Sequence, residues 1–66
     1  MIDYARLWAQ LEKQGISQYR LGRLGISHST LTSLKHNKAV STDTIDKLCS
    51  ILHCNVEDIM EYKENK

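Results

Sequence analysis

The side chains of this chain best suited to chemistry are small hydrogen-bonding groups, not catalysts. Within SQYRLGRLGISHSTLTSLKHNK, residues 17–38, His28, Ser29, Thr32, Ser33 and His36 fall opposite or beside Leu31 and Leu34 on a helix. An imidazole donates or accepts through its ring nitrogens, a hydroxyl does both, and a threonine methyl can lie against a thymine methyl. Two helices joined by a tight glycine-containing turn, the second presenting such side chains, fit an α-helix into the major groove of DNA. His28, Ser29, Thr32 and Ser33 are therefore the candidate base contacts. None of them is Arg, Asn or Gln, which make bidentate contacts with guanine or adenine. Direct readout should accordingly be modest, with a larger share for shape and bridging water.

Phosphate contacts need cations and free donors around that helix. Gln18 stands at the start of the preceding helix, where its amide and the open N–H groups can meet one phosphate. Ser17 and Ser27 occupy helix starts, Lys35, His36, Asn37 and Lys38 follow the second helix, and Thr42 begins another. Arg20 and Arg23 add charge nearby, although Arg23 is equally a solvated side chain. The net charge is only +1, below what is expected of a nucleic-acid domain. Its distribution is uneven. Residues 1–40 hold six Lys and Arg against two carboxylates, and residues 41–66 hold three against six. Phosphate contacts belong in the first half, and the acidic second half suits a basic partner.

The elements that must position these residues are helical. The chain has 66 residues, no Pro and no Phe, and its three glycines, Gly15, Gly22 and Gly25, lie outside the long periodic stretches. A chain this short forms one domain, spanning 1–66, that buries only about 60% of its unfolded surface. Tyr4, Leu7, Trp8 and Leu11 predict helix 1 over about Asp3–Gln14, stopped by Gly15. Ser17 caps helix 2, about Gln18–Leu24. Gly25 turns the chain, Ile26 fills the angle, and Ser27 caps helix 3, about His28–His36. Ser41 or Thr42 caps helix 4, whose stripe is Ile45, Leu48, Cys49 and Leu52. Asn55, with Asp58 as capping-box partner, opens helix 5, and Val56 and Ile59 close the core. Lys63 to Lys66 is a polar tail expected to fray.

Taken together, these motifs resemble the small helix-turn-helix repressors of the Cro/CI type, also called the Xre family. Ser17-Gln18 and Leu21 are similar to the family's Thr-Gln-x-x-Leu opening. Gly25-Ile26-Ser27-x-Ser29-Thr30-Leu31-x-x-Leu34 resembles its Gly-Val-Ser-x-Ser-Thr-Ile-x-x-Ile turn and recognition helix. Residues 41–48 and 52–59 are similar to its fourth helix and closing segment, and Leu48-Cys49 with Cys54 resembles the short single-domain members. The resemblance implies an all-α, five-helix, lambda-repressor-like domain, with the helix-turn-helix at 17–36. It implies sequence-specific binding of double-stranded DNA and transcriptional regulation, as a repressor. One residue fewer than usual separates Leu21 from Gly25, so helix 2 should end early or the turn be tighter. Gly22 stands where the family places a small Ala for close helix approach.

Other functions find less support. Cys49, His53 and Cys54 lack the fourth ligand of a structural zinc site, and Cys49 falls in the core stripe, so neither a metal nor a disulfide is expected. There is no nucleophile–base pair and no phosphate-cradling glycine loop, so the chain is not expected to be an enzyme or to use a cofactor or small-molecule ligand. No apolar run approaches the ~20 residues of a membrane span, and the N-terminus lacks a signal-peptide pattern, which predicts a cytoplasmic protein, on the nucleoid when bound. Two copies on half-sites about one helical turn apart would supply affinity, with Met60 and Tyr62 of the C-terminal helix as the homodimer surface. The competing reading is a helical protein-interaction module or antitoxin-like protein that binds a partner protein.

Overall fold

The structure, a computed structural model, describes residues 1–64. A short strand β1 (Ile2–Asp3) leads into α1 (Ala5–Gln14), α2 (Gln18–Arg23), α3 (His28–Lys35) and α4 (Thr42–Leu52). A single 3-10 turn (Val56–Asp58) and strand β2 (Glu61–Tyr62) complete the described chain. The strands pair antiparallel, Ile2 opposite Tyr62 and Asp3 opposite Glu61, so the two ends of the chain are joined.

The expected all-α, five-helix architecture is corrected in two places. Among the described residues four α-helices form, and the fifth segment is one 3-10 turn. Asn55 and Asp58 do make the expected capping box, with the Asn55 N–H donating to the Asp58 carboxylate at 3.0 Å. The chain then leaves the helix at Ile59 to pair with β1. Met60 and Tyr62 therefore belong to the terminal sheet and its approach, and the C-terminal helix expected to carry a dimer surface is absent among the described residues. Helix α1 begins two residues later than expected, because Asp3 is in β1 and its carboxylate accepts the Ala5 N–H at 2.8 Å.

Among the described residues the core is made by Tyr4, Leu7, Leu11, Leu21, Ile26, Leu31, Leu34, Ile45, Leu48, Leu52 and Ile59. Trp8 and Cys49 are half-buried against it. Val56, expected inside, is 49% exposed, and Leu24 is 46% exposed. Lys63, expected to fray, instead donates its N–H to the Met1 carbonyl at 2.7 Å. Of that expected polar tail, Asn65 and Lys66 lie outside the described residues.

The helices are punctuated by one device used four times. Just past each helix stands a left-handed residue, Gly15, Gly25, Asn37 or His53, with φ of 69°, 114°, 54° and 52°. The next N–H reaches back to a carbonyl five residues earlier: Ile16 to Leu11 at 2.9 Å, Ile26 to Leu21 at 3.1 Å, Lys38 to Ser33 at 2.8 Å and Cys54 to Cys49 at 3.2 Å. These bonds satisfy carbonyls that a helix end leaves open. Serine then starts the next element. Ser17, Ser27 and Ser41 accept the N–H of Arg20, Thr30 and Thr44 at 3.1, 3.2 and 3.2 Å. The tripeptide Gly-Ile-Ser occurs at 15–17 and 25–27 because each copy supplies a left-handed turn, a buried or half-buried plug and a cap in succession.

Candidate nucleic-acid interface

Helix α3 is oriented by its apolar side. Leu34 is fully buried and Leu31 nearly so, which fixes the helix on the core and leaves His28, Ser29 and Thr32 exposed. Ser33 is only half-exposed, on the flank, and its carbonyl takes the Lys38 N–H. The Thr32 hydroxyl donates to the His28 carbonyl at 3.1 Å, so its methyl is the group left to offer a ligand. Ser29 Oγ lies 3.2 Å from Ser27 Oγ. Ser27 Oγ accepts the Thr30 N–H and donates to Thr30 Oγ1 at 2.8 Å, so this hydroxyl is already engaged in holding the helix start. Ser17 is engaged in the same way at α2.

The predicted phosphate contacts fall into two groups. Gln18 and Lys35 line one groove of about 310 Å³ between α2 and α3, together with the base-contact candidate His28 and with Tyr19, Gly22, Arg23 and Leu31. Asn37, Lys38 and Thr42 line a second groove, between the α3–α4 loop and the terminal sheet. Thr42 is the first helical residue of α4, its cap being Ser41. His36 is exposed at the end of α3. The Asn37 side chain is occupied: Oδ1 accepts the Tyr4 N–H at 3.0 Å and Nδ2 donates to Asp3 at 3.4 Å. Its amide thus ties the end of α3 to the start of α1.

Charge completes the surface. Arg20, Arg23, Lys35 and Lys38 have no carboxylate partner among the described residues, where all three ion pairs sit at the terminal sheet. Two contributors lie outside the predicted contact set. Tyr19 is 73% exposed beside the first groove, and its hydroxyl accepts from Arg23 at 3.3 Å. Their four-residue spacing on α2 was the available signal. Lys47, from α4, reaches over the helix-turn-helix turn, its Nζ 3.7 Å from where a Cβ on Gly25 would lie. Nothing local in the sequence links those two positions. Arg6 is instead drawn away from the surface charge by Glu61, at 2.9 Å, and the Glu57 carbonyl, at 2.8 Å.

The expected close approach at Gly22 is not made, since a Cβ there would meet nothing within 4 Å. The shortened segment after Leu21 is absorbed by ending α2 at Arg23 and turning at Gly25, which keeps Ile26 buried.

No curated relative matches the chain in sequence. Among solved structures, the crystal structure of the transcriptional regulator VanUg (form II) is similar over 91% of this chain and 81% of its own, with 31% identity and a TM-score of 0.85. The family profile of the Cro/C1-type HTH DNA-binding domain matches residues 6–65. With nearly every helix, cap and turn inside that match, the chain belongs to the Cro/C1-type helix-turn-helix DNA-binding family.

Proposed function

We propose that this protein binds double-stranded DNA sequence-specifically, with α3 in the major groove, and regulates transcription as a repressor by occupying its site. The observation that carries this reading is the α3 surface. Exposed His28, Ser29 and Thr32, flanked by Ser33, stand on a helix whose other side is locked into the core, and cations without carboxylate partners surround them. His28, Ser29, Thr32 and Ser33 meet base edges. Gln18, Lys35, His36, Lys38 and Thr42 meet phosphates, with Ser17, Ser27 and Asn37 setting the backbone that presents them. VanUg, named a transcriptional regulator, supports the regulatory role by similarity. Two copies on half-sites about one helical turn apart double the number of contacts that one small domain makes.

Selection of bound duplexes from a random pool at near-physiological salt tests the reading. A recovered motif, an inverted repeat in particular, is the expected result. Retention without sequence preference, and unchanged by alanine at both His28 and Ser33, would overturn it in favour of a protein-binding module.

A further inference from the structure

The function described above leaves the two cysteines unused. They occupy a particular place: Cys49 and Cys54 are joined by the backbone hydrogen bond that closes the end of α4, at 3.2 Å. The corresponding pairs at the ends of α1 and α2 are Leu11 with Ile16 and Leu21 with Ile26, ordinary apolar plugs. At α4 the same geometry sets two free thiols at the two ends of one closed turn. The turn between them runs through His53 at φ 52°, a conformation a non-glycine residue adopts at some cost, so the reversal is held by its surroundings. Both cysteines are half-buried, packed against the core yet open in part to solvent.

We propose that Cys49 and Cys54 form a dithiol that closes reversibly to an intrachain disulfide, clamping the end of α4 to the closing segment of the domain. A disulfide needs Cα atoms about 4.4–6.8 Å apart with converging Cβ vectors. A chain reversal closed by one backbone bond between the two cysteines, with both side chains packed against the same core, brings them near that geometry with little backbone movement. The oxidant is a diffusible low-molecular-weight disulfide such as oxidised glutathione. One cysteine thiolate attacks it, forming a mixed disulfide and releasing one small thiol. The second thiolate attacks the protein sulfur of the mixed disulfide and releases the other. The protein gives up two electrons and two protons, and two small thiols carry them away. Burial pushes both thiols up, and Asp46, Asp58 and Glu57 add to the rise at Cys49. The thiols therefore rest protonated, and closure is slow until oxidant accumulates.

Full-length protein is incubated in mixtures of oxidised and reduced glutathione, quenched by alkylation, and read by intact mass and thermal unfolding. The expected product is a monomer lighter by two hydrogen atoms, with no alkylatable thiol, restored by reductant. Its unfolding midpoint should rise by about 5 °C or more, as an added cross-link restricts the unfolded chain. Cys49→Ser and Cys54→Ser should each stop at the glutathione adduct and gain no stability. Should either variant fail to fold, the wild-type mass and midpoint decide alone. A wild-type chain that accumulates glutathione adducts, links between chains, keeps both thiols in excess oxidant, or closes without a higher midpoint overturns the proposal.

Discussion

The two ends of this small domain treat charge in opposite ways. At the terminal sheet, Arg6 meets Glu61 and Lys63 lies near both Asp3 and Glu61, so the acidic and basic side chains of the two termini answer one another. Around α3, Arg20, Arg23, Lys35 and Lys38 have no carboxylate partner among the described residues. A domain with a net charge of +1 is not basic in bulk, and it need not be. Pairing at one end leaves the other with the excess, and the local field, not the net charge, attracts a polyanion. Asn37 spans the two regions: its backbone ends α3 while its amide holds Tyr4 and Asp3 beside β1.

The largest effect should come from cutting that link. Asn37→Ala leaves the half-buried Tyr4 N–H without its acceptor and places a Cβ-bearing residue of poor left-handed tolerance at φ 54°. The combined cost is about 2–3 kcal/mol, from the lost bond and the backbone strain. Thermal unfolding should show a midpoint lower by about 10 °C or more. Asn37→Gly relieves the strain and loses only the bond, so it should fall between wild type and Asn37→Ala. Equal loss in both variants would assign the whole effect to the side chain.

Next in size is the charge proposed to face DNA. Alanine at both Lys35 and Lys38 should weaken operator binding about 30-fold at physiological salt and flatten the slope of log K against log salt by about 1.8, two phosphate contacts at about 0.9 each. The same pair should change folding stability by less than about 0.5 kcal/mol, since both are exposed and neither is ion-paired among the described residues. An unchanged salt slope would remove Lys35 and Lys38 from the phosphate set.

The difference between the two ends also marks what the sequence made legible. The helix-turn-helix was written in local signals: glycine stops, serine caps and leucine spacing act within one turn of helix, so α2, α3 and their boundaries follow almost residue by residue. The terminal sheet was not. Ile2–Asp3 and Glu61–Tyr62 are two-residue strands whose only reason to be strands is each other, across nearly the full length of the chain. For that reason a fifth helix looked plausible from Val56 onward and proved to be one 3-10 turn. The candidate site divides similarly. The exposure of His28, Ser29 and Thr32 followed from Leu31 and Leu34, but the engagement of Asn37 with Tyr4, and the placing of Lys47 over Gly25, depend on contacts no local pattern announces.

Gly22 sharpens the comparison at smaller scale, because there the family resemblance and the structure disagree. Resemblance suggests a small residue demanded by packing, yet the space beside Gly22 is open and the residue lies inside α2. Gly22→Ala should therefore raise stability by about 0.5–1 kcal/mol, the gain from removing a flexible glycine from a helix interior. Chemical denaturation measures it through the midpoint at constant slope. Because Gly22 lines the groove between α2 and α3, the same variant also asks whether DNA enters that groove. A stabilised protein with weakened operator binding would place the added methyl against the ligand.

The smallest effect is expected at the paired end. Glu61 accepts from Arg6 and lies 3.9 Å from Lys63, but Arg6 and Lys63 are both about half exposed. Pairs of this kind contribute roughly 0.2–1 kcal/mol, because water screens them and the long side chains lose freedom in making them. Glu61→Gln keeps the shape and a hydrogen-bond acceptor for Arg6, so its cost belongs at the lower end of that range and should shrink further in high salt. Operator affinity should stay within twofold of wild type, since the released cations lie at the terminal sheet. A clear gain in affinity instead would mean that Arg6 or Lys63, once unpaired, reaches the phosphates. The terminal sheet would then hold back charge from DNA, and the separation of the two ends would be a matter of pairing alone and not of position.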